Sequence, residues 1–220
     1  MRKSWLAVAI LACGALPSAA AAQAFGVGAR IGTLGVGGEL AVELTERVVV
    51  RGGAGLTPLE PTATLDDIEV TLSLPDWYNV GLDFYLNGAI RLGGGVLFKS
   101  DEPSLAGEFT TVQDIGGQQF TPQEIGTLTG VFDSRNQVPY VLIGFGKHTA
   151  PGFGLFLDLG VAFLGEPDVR LGAVNGTLDP DTNAQFRAAL DAEAADFEAE
   201  VGTYLKLWPI LSVGLRIGLG

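Results

Sequence analysis

Eight ionisable side chains stand out for where they fall: Arg30, Glu39, Glu43, Arg51, Asp83, Arg91, Asp158 and Arg216. Each lies in a stretch where every second residue is apolar, and each takes the other side of that alternation, among glycines. Carboxylates and guanidinium groups gathered on one face can neutralise one another, whereas a lone charge is too costly to withdraw from water. The planar fork of arginine suits such pairing. The set offers either a static salt-bridged network or a gate in which the pairs exchange partners.

The other candidates are weaker. His148 is the chain's single histidine, falls in a short turn, and has no serine and carboxylate placed with it; there is no Gly-x-Ser-x-Gly elbow either. It reads as a surface residue. Asp179-Pro180-Asp181-Thr182-Asn183 begins like a calcium loop, but Ala184 replaces the turn glycine and Leu190 the closing glutamate. The same stretch reads better as a helix start, with Asp181 or Thr182 as the cap. Phe186, Leu190, Phe197, Val201 and Tyr204 then recur at roughly helical spacing to about residue 205. The polar side of this amphipathic helix carries Asp191, Glu193, Asp196, Glu198 and Glu200 against Arg187 and Lys206. Asp196 and Glu200 share a face and repel each other, which makes them candidate contacts for a divalent cation; a solvated acidic face is the plainer reading. No catalytic residue, resident metal or cofactor is expected, and the chain is not expected to be an enzyme.

The elements that position these residues are strands. Period-two alternation marks Phe25 to Ile31, Val36 to Leu44, Val48 to Leu56, Tyr78 to Leu86, Ile90 to Phe98, residues 138–146, Phe153 to Phe163, and Leu211 to Leu219. Residues 138–146 are apolar on both faces and leave their orientation open. Glycine is a poor choice for a strand face exposed to water, since it loses backbone entropy and covers nothing. It suits a cramped interior that must also hold long charged side chains. The apolar face therefore looks outward to lipid and the glycine-and-charge face inward. The connections at Thr45-Glu46-Arg47, Asn87-Gly88 and about 147–152 are short, while those at about 57–76, 99–137 and 164–207 are long. Leu86 should pair with Ile90, with Gly88 supplying a positive φ. The Gly32 to Gly35 connection is short on the long-loop side. Within 99–137, Glu108 to Val112 and Thr127 to Val131 read as strand extensions, with a helical turn at Thr121 to Gly126. The helix after residue 181 would pack over the barrel mouth or against the 99–137 loop, as a lid.

Composition bounds the rest. Of 220 residues 32 are glycine, about 15% and roughly twice the usual share. Thirteen basic residues against 25 acidic ones argue against a nucleic-acid partner. Arg2 and Lys3, the apolar run Leu6 to Leu16, and Ala19 to Ala22 compose a secretory signal over residues 1–22, cleaved after Ala22 or Ala24. Ile10-Leu11-Ala12-Cys13-Gly14 loosely matches a lipoprotein signal, but Cys13 would cut the apolar region short. Cleavage after Ala22 leaves 11 basic residues, 25 acidic ones and no cysteine, so the domain at 23–220 must hold together without disulfides.

With its secretory start, the Gly32-Thr33-Leu34-Gly35-Val36-Gly37-Gly38-Glu39-Leu40 stretch and the closing strand Trp208 to Leu215, the chain resembles the small bacterial outer-membrane β-barrels of the OmpA/OmpW-like class. It departs from them in ending Gly218-Leu219-Gly220 where an aromatic residue is usual. The resemblance implies an all-β, eight-stranded antiparallel transmembrane barrel with long extracellular loops, monomeric and inserted by the barrel-assembly machinery. Its partners would be outer-membrane lipid and lipopolysaccharide, whose phosphates could share a cation with Asp196 and Glu200. Arg47 would sit near the lower rim. The expected role is non-enzymatic, in envelope structure and surface contact; a narrow passive channel for small apolar solutes is the alternative, and a soluble lipid-binding barrel a further one. An outer-membrane barrel should run differently in SDS gels unheated and boiled; recovery of the protein in the soluble periplasm would invert the inside and outside of every strand.

Overall fold

The computed structural model describes residues 24–58, 60–65 and 68–219. The signal-segment reading and Cys13 lie outside the described residues. Strands β1 (Phe25–Gly32), β2 (Gly35–Thr45) and β3 (Val48–Leu56) are followed by a hairpin, β4 (Thr62–Leu65) and β5 (Ile68–Ser73). After β6 (Trp77–Tyr85) and β7 (Ile90–Lys99) the chain makes a second excursion through β8 (Ser104–Phe109), β9 (Gln113–Ile115), β10 (Gln118–Phe120), α1 (Pro122–Ile125) and β11 (Gly126–Asp133). It returns as β12 (Gln137–Phe145) and β13 (Gly152–Phe163), leaves through β14 (Asp168–Asn175) and α2 (Ala184–Leu205), and closes with β15 (Leu207–Leu219).

Strands β1, β2, β3, β6, β7, β12, β13 and β15 form a closed antiparallel barrel, with β15 pairing to both β13 and β1. These are the eight segments that the alternation marks. Residues 138–146 resolve with Val138, Tyr140 and Leu142 inside and Val141, Ile143 and Phe145 outside. The outer wall is apolar throughout, with Phe153 at 68% and Leu155 at 66% exposure. Outward aromatic rings gather at its two ends. Phe25, Phe84, Phe145 and Phe153 lie toward the short turns; Tyr78, Phe98 and Phe163 lie toward the long loops. Valine, leucine and isoleucine fill the band between them, an arrangement suited to hydrocarbon flanked by two interfaces.

Two turns differ in detail from expectation. Leu86 N–H does bond Ile90 O at 3.0 Å. Gly88, however, is not among the positive-φ glycines. Asn87 Oδ1 instead accepts from the N–H groups of Ala89 and Ile90 at 3.0 and 2.8 Å, so a side chain closes the turn that a left-handed backbone was expected to close. At the other end Gly35, at φ +83°, lets β1 reverse within two residues and drops Leu34 into the barrel mouth.

The three long connections build a second layer instead of simply extending barrel strands. Strands β4, β5, β8, β11 and β14 form a five-stranded antiparallel sheet, and β9 with β10 a small ribbon. A separate core of Ile115, Phe120, Ile125, Ala173, Phe186, Ala189 and Leu190 joins ribbon, sheet and α2. Helix α2 starts one residue later than expected: Asn183 Oδ1, not Asp181 or Thr182, accepts from Phe186 N–H at 3.0 Å. Its first half packs on the ribbon and β14, and its last turns reach the barrel rim beside Leu207 and Trp208. Helix α1 is closed by a capping box in which Thr121 N–H and Oγ1–H both donate to Glu124, holding that carboxyl below its ordinary value.

Inside the barrel, glycines stand across from the charged residues. Arg51 faces Gly81, Asp83 faces Gly93, Arg91 and Asp158 both face Gly144, and Glu39 lies between Gly28 and Gly53. A Cβ at Gly144 would collide with the Arg91 guanidinium. Gly144→Val is expected to cost about 1–3 kcal/mol by overpacking, read as loss of the fast-migrating folded band in SDS at a lower temperature.

Candidate functional site

The inward charges of the barrel wall meet in one cluster. Arg51 Nη1 lies 2.5 Å from Asp158 Oδ2 and 3.4 Å from Glu39 Oε2, and its Nε lies 3.3 Å from Asp83 Oδ2. Arg91 places Nε 2.9 Å from the same Asp83 oxygen and Nη2 against Asp158 Oδ1. Its Nη1 donates to the Gly146 carbonyl at 2.8 Å. Arg51, Asp83, Arg91 and Asp158 thus close a ring in which each charge touches two of opposite sign. Arg30 joins at the edge, with Nη1 3.8 Å from Glu39 and Nη2 donating to Asn79 Oδ1 at 2.8 Å. Three arginines balance three carboxylates, and each of these residues is less than 5% exposed.

Six of the eight residues singled out from the sequence are brought together here. Glu43 and Arg216 are not. Glu43 lies at the short-turn end, where the β2–β3 register shifts; there it pairs with Lys147 at 3.0 Å and accepts from Thr149 Oγ1 at 2.7 Å. Among the described residues Arg216 has no acid partner; it donates instead to the carbonyls of Ala150 and Gly152, stapling the turn between β12 and β13. Arg47 is exposed at that rim.

His148 lies furthest from where the sequence places it. It is buried, not a surface residue: the turn folds back into the barrel end and inserts the imidazole, with Nε2 against Glu39 Oε1 and Nδ1 3.3 Å from Tyr85 Oη. Tyr85 Oη accepts the His148 backbone N–H at 3.1 Å, and the Phe156 ring lies 4.6 Å from the imidazole. Nothing in the local sequence marks this, since Lys147-His148-Thr149-Ala150-Pro151 reads as an ordinary polar turn.

Toward the long loops the ring is roofed by Leu34, Trp77, Leu97, Val138, Tyr140, Leu142, Ala162, Leu164 and Ile210, with the Trp208 ring tilted against Trp77 at 5.4 Å. Sequence reasoning missed this apolar layer, because several of its members come from strand ends and from the two-faced β12. Between roof and ring remains a cavity of about 10 Å³, bordered by Arg30, Asn79, Tyr140 and Ser212. That is room for roughly one water. Asp196 and Glu200 are exposed on α2, and no group of three or more potential metal ligands occurs among the described residues.

Asp158 carries the ring's clearest prediction. Asp158→Ala leaves Arg51 and Arg91 partly unpaired and should cost about 3–5 kcal/mol, while Asp158→Asn, which keeps an acceptor, should cost less; urea unfolding in micelles would rank them.

No protein family and no curated protein matches the chain. Among solved structures, CarO2 of Acinetobacter baumannii is similar at 18% identity with a TM-score of 0.61, over 89% of this chain and 98% of that one. CarO of the same organism is similar at 19% identity with a TM-score of 0.57, over 87% and 96%. At such identities the likeness is one of fold, that of a closed eight-stranded antiparallel β-barrel.

Proposed function

We propose that this protein is a non-enzymatic barrel of the bacterial outer membrane whose role lies in envelope structure and surface contact, with a lumen that acts as a stopper. The observation that carries the reading is the sealed interior within an apolar outer wall: a neutral ion ring roofed by a packed apolar layer, with space for about one water between them. A barrel of eight strands is wide enough only for its own side chains, so charges inside it must pair or be excluded. The exterior supports a lipid location through its aromatic ends and aliphatic middle. Contact with the surroundings falls to the five-stranded sheet and α2, which have a core of their own and project beyond the strand ends.

The alternative of a narrow conduit makes the opposite prediction for the same ring. In planar bilayers the wild-type protein should show no conductance steps. Arg51→Ala and Asp158→Ala should lower stability without opening a path, because the Trp77, Leu97 and Val138 roof remains. Steady conductance in the wild type, or its appearance in either variant, would favour the conduit.

A further inference from the structure

A sizeable apolar recess lies in neither the barrel nor the ion ring. Between the five-stranded sheet, the last turns of α2 and the barrel rim is a cleft of about 380 Å³. Its walls are Leu72, Leu105, Phe132, Phe197 and Leu207, and its floor is Leu164 with Trp208, both part of or packed on the roof of the lumen. A second recess of about 240 Å³ continues it along the sheet, sharing Leu105, Phe132 and Phe197 and ending at Ile68 and Phe109. The volume of the first recess is in the range of small-molecule sites.

We infer that this slot binds one elongated, uncharged aliphatic molecule taken from outside the cell. Three observations favour that occupant. The two recesses adjoin across the shared side chains Leu105, Phe132 and Phe197, so apolar lining extends from the barrel rim to Ile68 and Phe109. Gly107, on β8, lines the far part, and a Cβ there would meet nothing nearer than 3.8 Å, so the strand leaves space that an ordinary sheet residue would fill. Among the described residues the only ionisable side chain in the walls is Glu193, and its Oε2 already accepts the Gly116 N–H at 2.9 Å. With 25 acidic against 13 basic residues in the chain, an anionic amphiphile would also be repelled. Apolar walls left open to water are costly, and an alkyl chain laid along them removes that exposure. The floor is closed by the lumen roof, so the slot is a seat and not the mouth of a pore. Leu207 continues on its own strand face into the lipid-facing row Leu211, Val213 and Leu215, so the seat abuts the membrane side. The inference rests on the outer-membrane reading above.

The experiment uses the whole protein in phosphatidylcholine vesicles and 12-bromododecanol, whose bromine quenches tryptophan on contact, with Trp208 in the cleft floor as reporter. Saturable quenching is expected in the wild type. Leu105→Glu, which puts a charge between the two recesses, and Gly107→Val, which fills the second, should each weaken it at least tenfold. Both are first checked for the heat-dependent gel shift, and Gly107→Val preserves the test if Leu105→Glu does not fold. Quenching that is unsaturable and equal in all three proteins would mean partition into the bilayer and would overturn the site. Vesicles of brominated phosphatidylcholine form a second arm: if they quench the wild type but not Leu105→Glu, the slot holds a membrane lipid chain and the solute assignment fails. Flotation of the protein with the vesicles tests the membrane reading separately, since a protein that stays unbound refutes that reading whatever the alcohol does.

Discussion

Charge neutrality inside a narrow lumen is the condition on which this architecture turns. Eight strands enclose little more than their own side chains, and an unpaired guanidinium there would cost several kcal/mol of desolvation. Arg51 meets the condition by touching three carboxylates from three other strands, and Arg91 by sharing two of them. Each partner comes from a different part of the chain, so the ring forms only once the barrel has closed in one register. A slip of one residue on any of these strands would turn its charge into the apolar outer wall. The ring therefore contributes more to specifying the register than to net stability, which buried ion pairs rarely supply.

Glycine is the counterpart of that ring. Arginine and aspartate can meet across the lumen because the positions beside them on neighbouring strands carry no side chain, as at Gly81, Gly93 and Gly144. The usual objection to strand glycine is the surface it leaves uncovered. Here the long side chain of the adjacent strand covers it. The roof follows the other packing rule: Trp77, Leu97 and Tyr140 fill the lumen end as an ordinary apolar core. One barrel thus holds two interiors, one satisfied by charge and one by contact.

The loop layer obeys a third constraint. Excursions as long as 99–137 and 164–207 could not stay ordered without burying apolar surface of their own. They do so by pairing β5 with β8 and β8 with β11, and by laying α2 on the ribbon and on β14. The sheet formed this way leaves an unfilled slot against the barrel rim.

The amino-acid sequence by itself determined the eight strands, the facing of seven of them and the identity of the inward charges, because period-two alternation against glycine separates two faces; β12, apolar on both, was oriented only by the structure. It also placed the helix of the last loop and the long and short connections. Only the tertiary structure decided that Glu43 and Arg216 lie apart from the ion cluster, that His148 joins it through Glu39, and that the loops build a five-stranded sheet with a small ribbon. Each of these depends on which atoms come within reach across the barrel end or between distant loops. Glu43 sits at a register shift, and His148 on a turn whose inward fold comes from contacts with Tyr85 and Glu39 far away in sequence. Local pattern encodes which face a residue takes; the partner it finds there is set by long-range pairing, which no local period records.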